Sequence, residues 1–292
     1  MDIKIADKCG LCYGVKRALQ IARDTRKSHE GTVVTLGHLI HNPQVIADLE
    51  EQKVFSIESP GEGTASTVII RSHGVSPDIY EKLRLRNIQI VDATCPIVKK
   101  IQQQVETLSA AGEEIIIVGD RTHPESEGLI GYSRGRGIII ENAEQAATLP
   151  LRKRRAVLAQ STQDLDCLRA VVSALLVRTE ELQVFNTICE STQTRQKATC
   201  ELAKEVDTLF IIGGKKSSNT NKLYNLSKKI QPNTYFIESA DQITLEMLKN
   251  SRKIGLSGGA STPPEAIQEA AVRIQTCFAY QNHQEKNVQC QS

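Results

Sequence analysis

The chain has 292 residues, with 36 basic and 34 acidic side chains, 40% hydrophobic residues and no tryptophan. This length suits roughly two or three domains and a core large enough to fold without disulfides. A net charge of +2 argues for neither a nucleic-acid partner nor an acidic partner, and 4% aromatic residues argue against a base-stacking platform.

Short, β-branched apolar runs alternate with helical patterns along the chain. The runs are apolar throughout, as expected of strands buried on both faces of a parallel sheet. They cover residues 32–35, 67–70, 88–91, 115–118, 138–140, 156–158, 209–212 and 253–256. Strands that alternate with helices predict an α/β protein with mostly parallel sheets.

Apolar residues at helical spacing predict helices between these strands. Residues 15–22 have this spacing, and so do residues 164–181 and 194–206. The pair Asn42-Pro43 is typical of a helix cap followed by proline at the first helical position. The basic run at residues 152–155 is expected to be a solvated turn.

The N-terminal sequence and the absence of long apolar stretches predict a cytoplasmic protein with no membrane partner. Residues 1–7 carry charges where a signal peptide would need an apolar run, and no stretch approaches the ~20 apolar residues of a membrane span. In a reducing compartment, the eight cysteines are expected to be thiols, catalytic groups or metal ligands.

Three cysteines lie in turn-like segments where a predicted strand gives way to a helix. These are Cys12, Cys95 and Cys189, and their similar separation indicates three α/β units that contribute one cysteine each. The N-terminus of a helix lowers the pKa of a thiol and favours the thiolate that a metal requires.

The other cysteines are interpreted differently. Cys167, Cys200 and Cys277 lie in helical patterns and are predicted to pack in the core. Cys9 forms a CxxC motif with Cys12, for which a zinc site and a redox pair both remain open.

Three histidines lie in turns among small polar residues. His41, His73 and His123 can donate to phosphate when charged and can act as bases or metal ligands when neutral. Glu125 follows His123 near the end of a predicted strand, where it is a candidate proton donor.

Hydroxyl and amide side chains follow several predicted strands, next to glycines in two cases. Glycine lets backbone N–H groups approach a ligand, and the next helix presents its positive end, so these segments predict a phosphate cradle. The residues concerned are Ser161, Ser217, Ser218, Asn219 and Ser261.

The combination is more specific than its parts. Three thiolates leave a four-iron cluster one protein ligand short, so that one iron stays open to substrate. Zinc with three cysteines is the alternative. The histidines and hydroxyls would hold an anionic, phosphorylated small molecule, and the carboxylate would supply protons.

In this order, the motifs resemble the IspH/LytB family of 4-hydroxy-3-methylbut-2-enyl diphosphate reductases. The resemblance runs from Met1 to about Ala279. It is carried by Cys12-Tyr13-Gly14-Val15, His41-Asn42, Ser72-His73-Gly74-Val75, Asp92-Ala93-Thr94-Cys95-Pro96, His123-Pro124-Glu125-Ser126-Glu127-Gly128, Gln160-Ser161-Thr162, Ile188-Cys189, Ser217-Ser218-Asn219-Thr220-Asn221 and Gly259-Ala260-Ser261.

The resemblance implies three similar α/β domains in a pseudo-threefold arrangement around a central cluster cavity. The implied boundaries are 13–95, 96–187 and 188–280, with residues 1–12 supplying a strand to the third domain. A polar, frayed tail at residues 281–292, which includes Cys290, is expected to follow.

The resemblance also implies a cofactor and a reaction. A [4Fe-4S] cluster would be held by Cys12, Cys95 and Cys189, and Glu125 would govern proton delivery. The allylic diphosphate substrate would lose its hydroxyl as water and give isopentenyl and dimethylallyl diphosphate. A ferredoxin- or flavodoxin-like partner would supply the electrons. The implied substrate-binding residues are His41, His73, His123, Ser161, Ser217, Ser218, Asn219 and Ser261.

The chain departs from the family pattern at a few positions. The family usually has Arg-Gly-Phe-Cys-Ala-Gly where this chain has a spare thiol at Cys9 and the bulkier Tyr13, and it usually has threonine at the position of Ser161. An aconitase-type hydro-lyase would require arginine forks for carboxylates, which these motifs do not offer. An iron–sulfur or zinc regulator would require a nucleic-acid or partner surface, which the charge balance does not favour.

Overall fold

The computed structural model describes residues 2–63 and 65–289, with the backbone alone described for residues 281–289. The strands are β1 (Asp2–Ile5), β2 (Val33–Leu36), β3 (Phe55–Ile57), β4 (Thr67–Ile70), β5 (Gln89–Asp92), β6 (Glu114–Val118), β7 (Gly137–Ile140), β8 (Arg152–Ala159), β9 (Thr179–Phe185), β10 (Thr208–Ile212), β11 (Thr234–Ile237) and β12 (Lys253–Gly258). The helices are α1 (Tyr13–Ser28), α2 (Pro43–Glu51), α3 (Pro77–Leu85), α4 (Pro96–Ala110), α5 (Pro124–Tyr132), α6 (Ala143–Ala147), α7 (Leu165–Leu176), α8 (Glu190–Glu205), α9 (Ser218–Ile230) and α10 (Pro264–Gln289).

The strands form three parallel sheets of four strands each, which confirms the predicted α/β fold class. The strand orders are β3-β2-β4-β5, β7-β6-β8-β9 and β11-β10-β12-β1. All strand pairs are parallel. The N-terminal strand β1 therefore takes the place in its sheet that β5 and β9 take in theirs.

The chain divides into two compact units. One consists of Met1–Cys12 and Thr194–Ser292, and contains the sheet of β1, β10, β11 and β12. The other consists of Tyr13–Gln193 and contains the remaining two sheets. Below they are called the terminal unit and the central unit. The three domain boundaries implied by the resemblance remain a prediction.

The apolar runs are strands buried on both faces, as their composition predicts. In β6, Ile116 contacts the cluster that contains Val171 of α7, whereas Ile117 contacts the cluster that contains Ile101 of α4. Both isoleucines are fully buried. Since helices cover both faces, every residue of such a strand is apolar and the alternating pattern of a half-exposed strand is lost.

The helix predicted over residues 164–181 is confirmed up to residue 176 and wrong in its last five residues. Helix α7 ends at Leu176, and the chain continues as β9, which pairs with β8. As an edge strand with several exposed side chains, β9 lacks the continuous apolar character that marks the inner strands. The edge strands β3 and β11 escaped prediction as well.

The basic run at residues 152–155 is not a solvated turn, because it forms the first half of β8. Arg155 is fully buried, and its Nε donates to Oε2 of Glu114 at 2.6 Å. Its Nη atoms donate to the carbonyl oxygens of Arg178 at 2.9 Å and Pro150 at 2.7 Å. A cation can thus be buried directly before the apolar residues of a strand when its nitrogen atoms donate to nearby acceptors.

Replacing Arg155 with methionine is expected to destabilise the protein by about 3 kcal/mol, because Glu114 and the partly buried carbonyls of Arg178 and Pro150 would each lose a donor. Urea unfolding followed by circular dichroism measures the change. Arg152→Met is the control, because its side chain is 52% exposed and pairs with the same glutamate, so that about 0–1 kcal/mol is expected. Equal unfolding midpoints for the two variants would contradict this assignment.

The C-terminal segment is more regular than expected. Helix α10 continues to Gln289, so the backbone of residues 281–289 is helical rather than frayed. Cys290 lies outside the described residues. None of the helices in the described part of the chain has the length and apolar character needed to cross a membrane.

Candidate active site

The three predicted cysteine ligands occupy the same kind of position. Cys12 directly precedes α1, Cys95 is the N-cap of α4, and Cys189 directly precedes α8. All three are half-buried thiols, and none forms a disulfide within the described residues. Each therefore lies at the positive end of a helix, as the sequence predicted.

A hydrogen bond recurs at each of these cysteines. The backbone N–H of Cys95 donates to the carbonyl of Ser72 at 2.9 Å, and that of Cys189 donates to the carbonyl of Ser161 at 2.9 Å. In the terminal unit, the N–H of Cys12 donates to the carbonyl of Ala260 at 3.0 Å. The acceptors follow β4, β8 and β12, which hold equivalent places in the three sheets. The same local frame, a cysteine that precedes a helix and whose backbone N–H bonds to the loop after the third strand of a sheet, therefore occurs three times.

Cys9 has a different environment from Cys12. It packs against two apolar clusters of the terminal unit, one with Ile267 and one with Leu202. Burial raises the pKa of the Cys9 thiol, although the cation of Arg195 acts in the opposite direction. Since the thiolate is disfavoured there, Cys12 is the better candidate ligand of the CxxC pair.

The core assignment is confirmed for Cys277, which is buried among the residues of α10 and its sheet. Cys200 is half-buried, and burial raises the pKa of its thiol. Cys167 is also half-buried, and its Sγ donates to the carbonyl of Glu141 at 3.3 Å.

Three predicted histidines form one cluster in the central unit. The ring centroids of His41 and His73 lie 4.8 Å apart, those of His73 and His123 5.1 Å, and those of His41 and His123 5.9 Å. Burial lowers the pKa of His73 well below 6.5, and the nearby His123, His41 and Arg71 lower it further. His73 is therefore neutral near pH 7.

The cluster can be compared with a metal site. One ring nitrogen from each histidine lies within 4.8 Å of the others, which is within reach of a metal after small shifts. However, His123 caps α5, and its Nδ1 accepts from the N–H of Glu125 at 3.1 Å. A neutral imidazole that accepts at Nδ1 carries its proton on Nε2 and donates there. His123 is thus prepared to donate to an anion rather than to ligate a cation through Nε2.

Glu125 and Ser161 form a buried pair beside this cluster. Glu125 is 1% exposed. Its Oε1 accepts from the N–H of Ser161 at 2.6 Å, and its Oε2 accepts from the hydroxyl at 2.7 Å. Burial raises the pKa of Glu125 to about 6, against the effect of the two bonds from Ser161. A carboxyl group with this pKa can hold and release a proton near neutral pH.

Ser161→Ala is expected to raise the pKa of Glu125 above about 6, because the lost hydroxyl bond favours the charged form. The protonated fraction of Glu125 falls as pH rises through its pKa, so the titration should move to higher pH. Infrared difference spectra of the carboxyl C=O stretch measure this, with Glu125→Gln assigning the band. Ser126→Ala, at a buried serine whose hydroxyl donates to Gln160 instead, should leave the midpoint unchanged. A downward shift in Ser161→Ala would contradict the pairing.

The terminal unit contains the predicted serines and asparagine at helix and strand ends. Ser217 caps α9 by accepting from the N–H of Thr220, and Ser218 and Asn219 follow in the first turn. Ser261 lies beyond β12 and is buried. Neither side-chain polar atom of the buried Asn219 has a hydrogen-bond partner among the described residues. A buried amide without partners costs about 1–3 kcal/mol, so it fits the binding of a polar ligand.

Sequence analysis gave Gln160 no role of its own. It is fully buried, and its Oε1 accepts from the N–H of Asp120 at 2.8 Å and from the hydroxyl of Ser126 at 3.3 Å. Its Nε2 donates to the hydroxyl of Thr162 at 2.8 Å. Gln160 thus ties the segment that contains Glu125 to the segment that contains Ser161. The motif Gln160-Ser161-Thr162 indicated that this segment belongs to the site. The spacing of residues in the sequence, however, does not predict that the amide of Gln160 connects two segments.

The α/β fold and these thiol, imidazole and carboxyl groups are those expected of an enzyme. The chain belongs to the LytB protein family, whose model matches residues 3–275. This confirms the family resemblance stated from the sequence, and the relatives named next identify the chain as a reductase.

Named relatives agree with the family assignment. The chain is 41% identical over 278 residues to 4-hydroxy-3-methylbut-2-enyl diphosphate reductase of Aquifex aeolicus, with 94% of this chain and 96% of that protein covered. It is 42% identical over 274 residues to the reductase of the same name from Geobacter metallireducens, with 94% and 97% covered.

Two solved structures have the same fold. One is (E)-4-hydroxy-3-methyl-but-2-enyl diphosphate reductase, described as the terminal enzyme of the non-mevalonate pathway; it is 40% identical with a TM-score of 0.69, covering 94% of this chain and all (100%) of that one. The other is E-1-hydroxy-2-methyl-but-2-enyl-4-diphosphate reductase of Plasmodium falciparum, which is 26% identical with a TM-score of 0.87 and covers 92% of this chain and 86% of that one.

Proposed function

We propose that this reductase converts 4-hydroxy-3-methylbut-2-enyl diphosphate into isopentenyl and dimethylallyl diphosphate, as the last step of the non-mevalonate isoprenoid pathway in the cytoplasm. The names of its relatives support the substrate class. The observation that best supports this chemistry is that Cys12, Cys95 and Cys189 lie at helix N-termini in the same local frame.

The donor set fits a [4Fe-4S] cluster. Cys12, Cys95 and Cys189 are half-buried thiols at the N-terminal ends of helices, and cysteine thiolates are the ligands such clusters use. Three cysteines leave one iron without a protein ligand, whereas structural zinc prefers four. When bound, the cluster supplies electrons and an iron with an open coordination position.

The diphosphate is bound by neutral donors in this proposal. His41, His73 and His123 supply ring N–H groups, and His123 is already fixed as an Nε2 donor. Ser217, Ser218, Asn219 and Ser261 supply hydroxyl and amide donors, and the N-terminus of α9 adds its positive end. Uncharged donors suit a phosphate that must leave again as part of the product.

Glu125 holds the proton in this proposal. Its raised pKa keeps part of the population protonated near neutral pH, and Ser161 holds both of its oxygens in place. Proton transfer to either end of the allylic system gives one of the two products. A ferredoxin- or flavodoxin-like protein supplies the electrons.

Anaerobic turnover with a chemical reductant tests the proposal. Purified protein is expected to be brown, to contain about four irons per chain and to form both five-carbon diphosphates from the hydroxylated allylic diphosphate. Zinc in place of iron, or an iron-loaded protein that leaves the substrate unchanged, would overturn the proposal.

A further inference from the structure

Two of the helices that begin at a candidate cluster cysteine share a sequence pattern. Residues 12–17 read Cys-Tyr-Gly-Val-Lys-Arg, and residues 95–100 read Cys-Pro-Ile-Val-Lys-Lys. The valines, Val15 and Val98, are buried and fix each first turn against the core. The basic pair follows in both, and neither first turn has an acidic residue. Helix α8 differs, since it begins with Glu190.

The two basic pairs belong to one region of the central unit. Nη1 of Arg17 in α1 donates to the carbonyl of Thr94, in the loop that leads into α4, at 3.1 Å. Lys16 and Lys100 are exposed. In the described part of the chain, neither lysine nor Arg17 forms an ion pair, whereas Lys99 pairs with an aspartate at 2.7 Å. Three cations of this region are therefore uncompensated.

Exposed apolar side chains lie among these cations. Tyr13 is 71% exposed, and Ile97 is 38% exposed. Each lies within two residues of a candidate cluster cysteine. Apolar and aromatic contacts with a charged rim are typical of protein interfaces. Together, Tyr13, Lys16, Arg17, Ile97 and Lys100 are called the helix-start face.

We propose that the helix-start face is the docking surface for an acidic iron–sulfur electron-carrier protein. This rests on the proposed function, which needs two electrons from outside the chain. Each reduced carrier would give up one electron to the cluster and leave oxidised, so two carriers serve one turnover. The face adjoins two candidate cluster ligands along the chain, which keeps the electron path short, and electron tunnelling weakens steeply with distance.

The charge and size of the face fit such a partner. Uncompensated cations attract an acidic protein over long range and raise the association rate by about 10–10³-fold at low salt. Complexes of electron carriers are small, often below about 1,200 Å² of buried area, and they dissociate readily. The basic rim of the helix-start face would attract the acidic carrier, and its small apolar centre would allow the complex to dissociate readily.

The test uses an acidic plant-type [2Fe-2S] ferredoxin as the probe. The double variant Lys16→Glu/Lys100→Glu is expected to slow ferredoxin-driven reduction of the cluster by at least about tenfold at low salt, with the difference shrinking as salt rises. Calorimetry is expected to give a weaker Kd for the same variant. The matched control is Lys27→Glu, an exposed lysine in the last turn of α1, about 16 Å further along the helix. It should behave like the unaltered protein.

Tyr13→Ala tests the apolar centre separately. It restores the alanine that the family usually has, and is expected to weaken the Kd severalfold while leaving the salt dependence unchanged. Iron content and reduction by dithionite should be the same in all variants, because a small reductant needs no docking. Equal ferredoxin rates and Kd values in the double variant and the unaltered protein would overturn the docking surface. Absence of iron from every variant would overturn the proposed function instead, and the Kd values would still decide the docking surface.

Discussion

Cys95→Ser is expected to remove the proposed cluster and to lower turnover by more than about 100-fold, beyond the usual cost of changing an outer residue around a metal. The physical reason is that iron–sulfur clusters are held by cysteine thiolates, and a serine hydroxyl does not ionise near neutral pH. The same result is expected for Cys12→Ser and Cys189→Ser, since all three occupy the same local frame.

Iron content and visible absorption of anaerobically prepared protein measure this loss directly. Cys9→Ser and Cys200→Ser are the controls, because burial disfavours the thiolate at both positions. Both should keep their iron. Retention of iron in Cys12→Ser together with loss in Cys9→Ser would show that the CxxC motif uses its other thiol.

Glu125→Gln is expected to lower turnover by about 10²–10⁴-fold, the usual contribution of a placed proton donor. The amide matches the carboxyl in size and can still accept from the N–H of Ser161, so the local structure should remain. The variant loses the proton donor, because a glutamine amide does not release a proton near neutral pH. Iron content and binding of inorganic pyrophosphate should therefore stay as they are.

Single-turnover measurements with the pre-reduced protein separate the chemical step from binding. Glu127→Gln is the matched control, since it lies in the same first turn of α5 but is exposed. It should retain full turnover. Full activity in Glu125→Gln would exclude Glu125 from proton delivery.

The sequence determined the features of this protein that depend on neighbouring residues. Strands such as β4 and β6 were found because continuous β-branched runs need burial on both faces. The positions of the cysteines followed from the same local rules, since proline after Cys95 and apolar spacing after Cys12 both mark the start of a helix. Family membership was visible because its motifs are short and local.

Some of the edge strands, and the burial of one charge, were decided by the tertiary structure. The strand β9 was taken for the end of a helix because an exposed edge needs no continuous apolar run. Arg155 was taken for a surface residue because two of the acceptors that allow its burial, on Glu114 and Arg178, lie 41 and 23 residues away in the chain. The sequence shows that residue 155 is a cation, but it does not show which acceptors lie beside it in the fold.

The chemistry of the site was decided in the same way. Burial raises the pKa of Glu125 to about 6 against the opposing hydrogen bonds from Ser161, 36 residues away, and His73 loses its charge through burial beside His123 and His41. The sequence named these residues but not their pairing, because sheet order and register decide which loops meet at the ends of parallel strands. The sequence thus showed which residue types lie in the site, whereas the fold decided their protonation states and their contacts with one another.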